Sequence, residues 1–197
     1  MKFETCDIEG LVICKPYILD DKRGFFTETF RKDLFDDFIG EKSSFCQTNC
    51  SESSYGTIRG LHFQISPSSQ SKLVSATSGE ILDVALDLRK NSKTFGKYFS
   101  IILNESNNYQ FFVPRGFAHG FSVLSKKARV QYMVDSFYDK KNEFGINPLD
   151  KNLNIDWKVK NPIISEKDIA SPNFDKNQHY NFYKQFQCLY IFLELIQ

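Results

Sequence analysis

The chain has 197 residues, of which 41% are hydrophobic and 15% aromatic, and its formal net charge is +1. This composition is too apolar for a disordered chain and is sufficient for one domain with a sizeable core. A net charge this close to zero gives no electrostatic reason to expect a nucleic-acid or membrane-surface partner, so we predict neither.

Cysteine usage and the chain ends predict a cytoplasmic protein. The first ten residues, MKFETCDIEG, are too polar for the apolar region of a signal peptide. The five cysteines include no CxxC pair, which favours reduced thiols; they are Cys6, Cys14, Cys46, Cys50 and Cys188. The longest apolar run, 188-CLYIFLELIQ-197, contains a glutamate and is shorter than the roughly 20 residues of a membrane span.

Short alternating apolar runs dominate the chain up to about residue 138, and turn residues separate them. Many short strands at this spacing predict an antiparallel sandwich or barrel. One helix is expected at 32–39, where Leu34, Phe35 and Phe38 share a face. After Asp150 the strand signal fades, so we predict an extended segment at 151–175 and a helix in the last twenty residues. The strand runs are 11–18, 24–30, 44–49, 57–64, 72–79, 81–88, 97–103, 109–114, 119–125 and 128–138.

Two of these runs place polar groups where a core is expected. In 81-ILDVALDL-88, Asp83 shares a face with Ala85 and Asp87, and in 128–138, Tyr132 and Tyr138 share another. If those faces point into a barrel, its interior is partly polar and two tyrosines look into the same space. The alternative is ordinary amphipathic strands with solvated acids.

Several common enzyme motifs are missing from the sequence. There is no GxGxxG after a strand, no GxxxxGK[ST], no HExxH and no GxSxG. The only histidines are His62, His119 and His179, and His62 lacks the second histidine of a metal-binding cupin. A metal site built on His62, His119 and acids is the weaker alternative, since transition-metal sites usually need more nitrogen or sulfur ligands.

Several separate blocks carry a family resemblance. They are 23-RGFFTETF-30, 57-TIRGLHFQ-64, 72-KLVSATSGEILDVALDLRKNSKTFGKY-98, 113-VPRGFAHGFSVLS-125, 156-DW-157 and 165-SEKD-168. Their order and spacing resemble the dTDP-4-dehydrorhamnose 3,5-epimerase family over about residues 10 to 170. The resemblance implies an all-β fold, a cupin-type antiparallel jelly-roll barrel with a few short helices. It also implies a homodimer and no metal or organic cofactor. We therefore expect one epimerase domain at 1–172 and a C-terminal extension at 173–197.

The resemblance implies a reaction at carbons 3 and 5 of a dTDP-4-keto-6-deoxyhexose. The ketone acidifies the neighbouring C–H bonds, so inversion needs a base, an enolate-stabilising charge and an acid on the other face. By resemblance His62 is the base, Asp168 orients it, Lys72 stabilises the enolate and Tyr132 returns the proton. Deoxysugar biosynthesis of the L-rhamnose type is the implied context.

The resemblance also assigns substrate-binding residues. Arg23 and Arg59 match diphosphate contacts, because a guanidinium suits phosphate oxygens. Near the sugar, His119 and Asp83 match supporting polar groups. The strand at 23–28 is expected to reach the site of a neighbouring subunit. The residues matching contacts to the base are Gln47, Asn49, Phe26 and Tyr138, with Glu28 beside them.

Three alternatives stay open, and one geometric problem follows. The protein could be a mono-epimerase at carbon 3 or 5, a cupin ketoisomerase, or an inactive sugar-nucleotide-binding relative. Strict alternation would place Arg59 and His62 on opposite faces of one strand. We therefore predict a bulge or sharp twist at Gly60, where glycine tolerates unusual backbone angles.

Overall fold

The computed structural model describes residues 1–182, and most of its regular structure is antiparallel strand. The strands are β1 (Lys2–Thr5), β2 (Val12–Lys15), β3 (Ile18–Asp21), β4 (Gly24–Thr27), β5 (Gln47–Ser54), β6 (Thr57–Gln64), β7 (Lys72–Ser78), β8 (Glu80–Asp87), β9 (Tyr98–Asn104), β10 (Gln110–Val113), β11 (Phe117–Val123), β12 (Lys127–Val134), β13 (Glu143–Gly145) and β14 (Ile163–Ile164). The helices are α1 (Lys32–Ile39) and α2 (Glu166–Ile169).

The strands form two larger sheets and one small hairpin. The first sheet has the order β1-β2-β10-β7-β12-β5, and the second has the order β13-β6-β11-β8-β9. Strand β14 pairs with β6 in parallel, and β3 with β4 makes a separate two-stranded hairpin. Sequence neighbours such as β6 and β7 lie in different sheets, as in a jelly roll. The all-β antiparallel prediction is therefore confirmed.

Side chains from both sheets meet in one apolar cluster that forms the barrel interior. The first sheet contributes Val74 and Phe111, and the second contributes Ala85 and Phe121. The opposite face of the second sheet carries a separate cluster, in which Leu82, Val84 and Leu86 pack under Trp157 and Phe182. Because alternate residues of β8 belong to different clusters, this strand is buried on both faces.

Burial of β8 decides whether its acidic side chains are solvated or buried. The Asp83 and Asp87 side chains are both 0% exposed, so they are not solvated. Asp87 bonds Arg89, Ser92 and Thr94, while Asp83 faces the interior. The polar-interior interpretation is confirmed, and the alternative of solvated acids is wrong for this strand.

Helix α1 has the predicted bounds, but its buried face is narrower than predicted. Phe35 is fully buried against aromatic neighbours, whereas Leu34 and Phe38 are 36% and 41% exposed. The helix ends at Gly40, whose φ of 74° places it in the left-handed region that glycine favours.

The predicted bulge lies at Gly60. Opposite β11, His119 pairs with His62 and Phe121 pairs with Arg59, so three steps on β6 match two on β11. Gly60 has φ 118°, and a Cβ there would lie 2.6 Å from the Gly120 Cα. The prediction is confirmed, because the extra residue brings Arg59 and His62 to the same cavity.

Residues after Asp150 are more ordered than the sequence indicated. They include β14, which continues the second sheet, and α2, whose N-cap is the Ser165 hydroxyl. Phe174 and Phe182 pack in the apolar cluster on the opposite face of the second sheet, here called the outer cluster, which contains Leu82, Val84 and Trp157. The helix predicted for the last twenty residues, and Cys188 with it, falls largely outside the described residues. Within residues 1–182, no helix has the length and apolar character to cross a membrane.

Candidate active site

Two adjoining cavities open between the facing sheets, with volumes of about 310 Å³ and about 500 Å³. His62, Lys72 and Tyr132 line both cavities, so they stand where the two meet. His62 comes from β6 in the second sheet, while Lys72 and Tyr132 come from β7 and β12 in the first. The predicted base, cation and acid therefore share one cleft.

The His62 imidazole is held by a buried carboxylate. Its Nε2 lies 2.7 Å from Asp168 Oδ1, and the side chains are 29% and 5% exposed, respectively. With Asp168 accepting from Nε2–H, the lone pair is on Nδ1. A neutral imidazole fixed in this tautomer can accept one proton, and the carboxylate then stabilises the resulting cation.

Local structure aims Asp168 at His62. The Ser165 hydroxyl caps α2 by accepting from the Asp168 N–H at 3.1 Å, and the Gly60 N–H donates to Asp168 Oδ2 at 3.3 Å. Burial opposes ionisation of this carboxyl, but the hydrogen bond from His62, the charge of His62 and the Gly60 N–H outweigh it. The pKa of Asp168 therefore lies below its ordinary value, which keeps the carboxylate ionised.

Lys72 presents an ammonium to the cleft at the first residue of β7. Burial lowers the pKa of Lys72 to about 8, although the nearby carboxylates of Asp83 and Glu143 act in the opposite direction. Among residues 1–182, no side chain or carbonyl hydrogen-bonds this ammonium. A positive charge with free donors is therefore available to a substrate oxygen.

Tyr132 offers a phenol on the wall formed by the first sheet. Burial raises the pKa of Tyr132, an effect that Arg59 opposes and Glu143 reinforces. No hydrogen bond joins its hydroxyl to any part of the chain that the structure describes. A protonated phenol at neutral pH is a competent proton donor.

A second histidine–carboxylate pair stands beside the first. His119 Nε2 lies 2.9 and 3.0 Å from the two Asp83 oxygens, and both side chains are almost completely buried. His119 lines the 500 Å³ cavity and is the strand neighbour of His62. Asp83 lies behind it, so His119 reaches the cleft and Asp83 acts through His119.

The 310 Å³ cavity is lined by amide and aromatic groups. Gln47 Nε2 donates to Asn49 Oδ1 at 2.7 Å, and the Tyr138 N–H donates to Gln47 Oε1 at 3.3 Å. Tyr138 also donates its hydroxyl to Glu143 Oε2 at 3.0 Å. The two tyrosines, Tyr132 and Tyr138, open onto this one cavity, as predicted, although β12 ends at Val134 and Tyr138 lies beyond the strand.

Sequence reasoning missed several lining residues. Glu143 pairs with Lys167 across the mouth of the site, and the hydrogen bonds from Lys167 and Tyr138 outweigh burial, so its pKa lies below the ordinary value. Glu143 lies in a three-residue strand without alternation, which gave no signal. Other missed lining residues include Ser51, Phe63, Gln64, Gln70, Phe121 and Ser165.

Arg59 lines the 500 Å³ cavity and is exposed to solvent. Its Nε donates to Ser53 Oγ at 2.9 Å, which fixes the base of the guanidinium and leaves its outer nitrogens available. An exposed guanidinium beside the His62 cavity suits an anionic group of a ligand whose neutral part enters the cleft.

Three predicted substrate-binding residues lie away from this cleft within the single chain. Arg23, Phe26 and Glu28 belong to or follow the β3–β4 hairpin and line neither cavity. Arg23 bonds Asp21 in the same hairpin, and Phe26 is 68% exposed. The described chain therefore does not bring these residues to its own site.

Within the described range 1–182, no three His, Cys, Asp or Glu side chains stand together as a metal ion would need. The two site histidines each pair with one carboxylate, Asp168 or Asp83. The cleft can move protons between an imidazole, a phenol and a bound carbon acid, and it can stabilise an oxyanion with Lys72.

Comparison with known proteins agrees with this chemistry. The family model described as dTDP-4-dehydrorhamnose 3,5-epimerase matches residues 5–176. A dTDP-4-dehydrorhamnose 3,5-epimerase from Shigella flexneri is 45% identical over 168 residues, covering 85% of this chain and 93% of the relative. A crystal structure of the enzyme from Elizabethkingia anophelis NUHP1 superposes with TM-score 0.87 at 44% identity, covering 91% of this chain and 99% of that one.

A third similar protein carries a sugar nucleotide. It is dTDP-6-deoxy-D-glucose-3,5-epimerase from Legionella pneumophila Philadelphia 1, solved in complex with dTDP-4-keto-L-rhamnose. Its TM-score is 0.86 at 39% identity, and the match covers 92% of this chain and 98% of that chain.

Proposed function

The chain belongs to the dTDP-4-dehydrorhamnose 3,5-epimerase family, and we propose that its cleft inverts carbons 3 and 5 of a dTDP-4-keto-6-deoxyhexose. The enzyme is an isomerase. Inversion beside a ketone removes a proton and returns one, so atoms and electrons balance without a redox partner.

His62 is the base. Its Nδ1 accepts the proton from carbon, while the C–H bonding pair moves into the carbon–carbon bond and the ketone oxygen becomes an enolate oxygen. Asp168, 2.7 Å from Nε2, holds the ring and stabilises the imidazolium. The fixed tautomer and the buried partner support this role.

Lys72 stabilises the enolate. Its ammonium has no hydrogen-bond partner in residues 1–182 and stands where the two cavities meet, near the expected position of the ring. Charge that develops on the ketone oxygen during proton removal is better stabilised by a fixed cation than by reorganising water. His119, ordered by Asp83, supplies a second polar group on the same side as His62.

Tyr132 returns the proton from the opposite face of the ring. The phenol is raised in pKa and therefore stays protonated until the enolate forms beside it. Proton transfer leaves a phenolate and an imidazolium, which return to their starting states through solvent before the second carbon is inverted.

The nucleotide part of the substrate binds to residues beside those that hold the sugar. Gln47 and Asn49 present amide groups that can pair with the polar edge of thymine, and Tyr138 provides an aromatic surface. Arg59 suits the diphosphate, since it is exposed at the rim and already fixed through Nε.

A second subunit completes the site. The hairpin β3–β4 exposes Tyr17, Leu19, Phe25 and Phe26 at 58–68%, which is an unusual apolar surface for a monomer. We place Arg23, Phe26 and Glu28 of each hairpin in the site of a neighbouring copy, and we assign the homodimer to the cytoplasm. We assign the activity to one epimerase domain at residues 1–172, with residues 173–197 as a C-terminal extension.

The observation that supports this function most strongly is that His62 and Tyr132 reach one cleft from facing sheets. The experiment is proton NMR of the product formed from dTDP-4-keto-6-deoxyglucose in heavy water. Deuterium at carbons 3 and 5 with both centres inverted supports double epimerisation. Deuterium and inversion at one carbon would indicate the mono-epimerase, and no exchange would indicate an inactive binding protein.

A further inference from the structure

Residues 177–182 lie beyond the family match, which ends at residue 176, and yet they contact the wall of the cleft. We call them the strap. We propose that the strap positions the loop at residues 65–71, between β6 and β7, and thereby sets how tightly the site holds its nucleotide. This inference rests on the proposed function for the identity of the ligand.

The first contact is aromatic. Tyr180 meets the Phe63 ring edge-on at 4.7 Å between centroids, and Phe182 lies 5.8 Å from the same ring. Phe63 also lines the 310 Å³ cavity. Aromatic packing of this kind stabilises beyond simple burial, so the strap fixes one wall of the cavity from behind.

The second contact is with the loop itself. Ser66 donates its N–H to the Asn181 carbonyl at 2.7 Å, and the Ser69 hydroxyl donates to the Phe182 carbonyl at 2.6 Å. Ser69 is 0% exposed and Phe182 is 4% exposed, so the second of these bonds is shielded from water. Breaking the bond between Ser69 and Phe182 would leave a buried polar group without its partner.

The loop passes this constraint to the site. Its residue Gln70 lines the 310 Å³ cavity, whereas Lys72, the first residue of β7, is held by strand pairing with Val113 and Val134. The other side of the loop is tied by Arg115, which donates to the Ser69 carbonyl at 3.0 Å. Ser69 is thus held between the strap and the barrel, and loss of the strap frees one side only.

The catalytic pair is held independently of the strap. His62 is fixed by Asp168, and Tyr132 lies within the β12 ladder. Disturbing the strap should therefore weaken nucleotide binding more than it slows proton transfer. A general loss of folding would affect KM and kcat together, so the split between the two separates a positioning role from a structural one.

The test uses three full-length variants. Tyr180→Ala removes the ring on Phe63, and Ser69→Ala removes the hydroxyl donor while leaving the loop otherwise intact. Phe174→Ala is the matched control, because Phe174 packs on the same outer cluster but contacts Phe95 and Gly96, away from the loop.

We expect Tyr180→Ala and Ser69→Ala to raise the Kd for dTDP by about three- to tenfold with kcat within about twofold of wild type. Amide hydrogen exchange across residues 65–71 should accelerate in both variants and stay unchanged in Phe174→Ala. Unchanged loop exchange in the two strap variants, or equal acceleration in Phe174→Ala, overturns the proposal. Exchange is measured without ligand, so it tests whether the strap positions the loop even if the wild-type protein epimerises no sugar.

Discussion

His62 and Tyr132 reach the same cleft from strands of the two facing sheets. His62 lies on β6, between β11 and β13, and Tyr132 lies on β12, between β5 and β7. Both lie on hydrogen-bonded antiparallel strands rather than on loops. The barrel itself therefore sets the separation of the proposed base and the proposed acid, which would give a stereochemical inversion its fixed geometry.

Asp168→Asn should lower kcat by about 10²- to 10⁴-fold while changing KM little. An amide can donate to Nε2 and so favour the tautomer whose Nδ1 carries hydrogen, which cannot accept a proton from carbon. The measurement is steady-state kinetics against Asp156→Asn, which removes only an exposed carboxylate paired with Lys158. A kcat for Asp168→Asn within threefold of wild type contradicts the assignment.

The same substitution should change the acid sensitivity of the fold. The pKa of Asp168 is lowered in the folded protein, so its stabilising effect is present above the ordinary value of 3.8 and is lost as pH falls through the folded-state pKa. The difference in Tm between wild type and Asp168→Asn should therefore shrink as pH falls below about 4. A difference that is constant with pH would show that this carboxylate is not preferentially ionised in the folded state.

The lowered pKa of Lys72 predicts an alkaline limb in the pH–rate profile. Its pKa of about 8 means that kcat/KM should fall above pH 8 as the ammonium loses its proton. Lys72→Met should lower activity by about 10²- to 10³-fold and abolish that limb. Survival of the limb in the variant would assign it to another group.

The lowered pKa of Lys72 also predicts that stability rises with pH over a range in which activity falls. Unfolding returns its pKa from about 8 to the ordinary 10.5, so between these values the unfolded chain holds more protons. The free energy of unfolding contributed by this residue therefore rises with pH across that window. Thermal melts of wild type and Lys72→Met from pH 8 to 10.5 should show this rise in wild type only.

Gly60→Ala should destabilise the fold by about 2–4 kcal/mol and remove most activity. The new Cβ would meet the Gly120 Cα at 2.6 Å and the His119 carbonyl at 2.7 Å, at φ 118°. Gly40→Ala is the control, because Gly40 also has positive φ but no atom within 4 Å, so its cost should be about 1 kcal/mol. Equal Tm shifts for the two variants would contradict the claim that the bulge requires glycine at position 60.

Mixed dimers should reveal sharing of residues between subunits. Arg23→Ala and His62→Ala each impair the enzyme, but a heterodimer of the two would contain one intact site if Arg23 serves the partner. Random 1:1 assembly should then recover about a quarter of wild-type activity. The control is Lys72→Met mixed with His62→Ala, which leaves every site defective. No recovery in the first mixture would place Arg23 outside the partner's site.

The central strands and α1 were predictable because alternation and helical periodicity are local signals. The bulge at Gly60 was also predictable, since two residues needed in one cavity had the wrong spacing for a flat strand. The run at 11–18 instead divides into β2 and β3 around Pro16, which lacks a backbone donor. The edge strand β5 extends beyond the predicted run, because its polar end, 51-SESS-54, has no apolar alternation.

The parts of the site that were missed depend on long-range contacts. His62, Asp168, Lys72 and Tyr132 were assigned by family resemblance, and the structure places all four together. Glu143 had no local signal, because its role follows from a short strand that pairs with β6. The strap is likewise defined only by what it touches, since its partners Ser66 and Ser69 lie 113 or more residues away along the chain.

The most direct test of the opposed base and acid is the stereochemistry of Tyr132→Phe in heavy water. Without the phenol, His62 still removes and returns a proton on its own face, so the sugar should take up deuterium while keeping its configuration. Inversion should slow by about two to four orders of magnitude. Proton NMR that shows deuterium with retained centres agrees with the account, and inversion at the wild-type rate would contradict it.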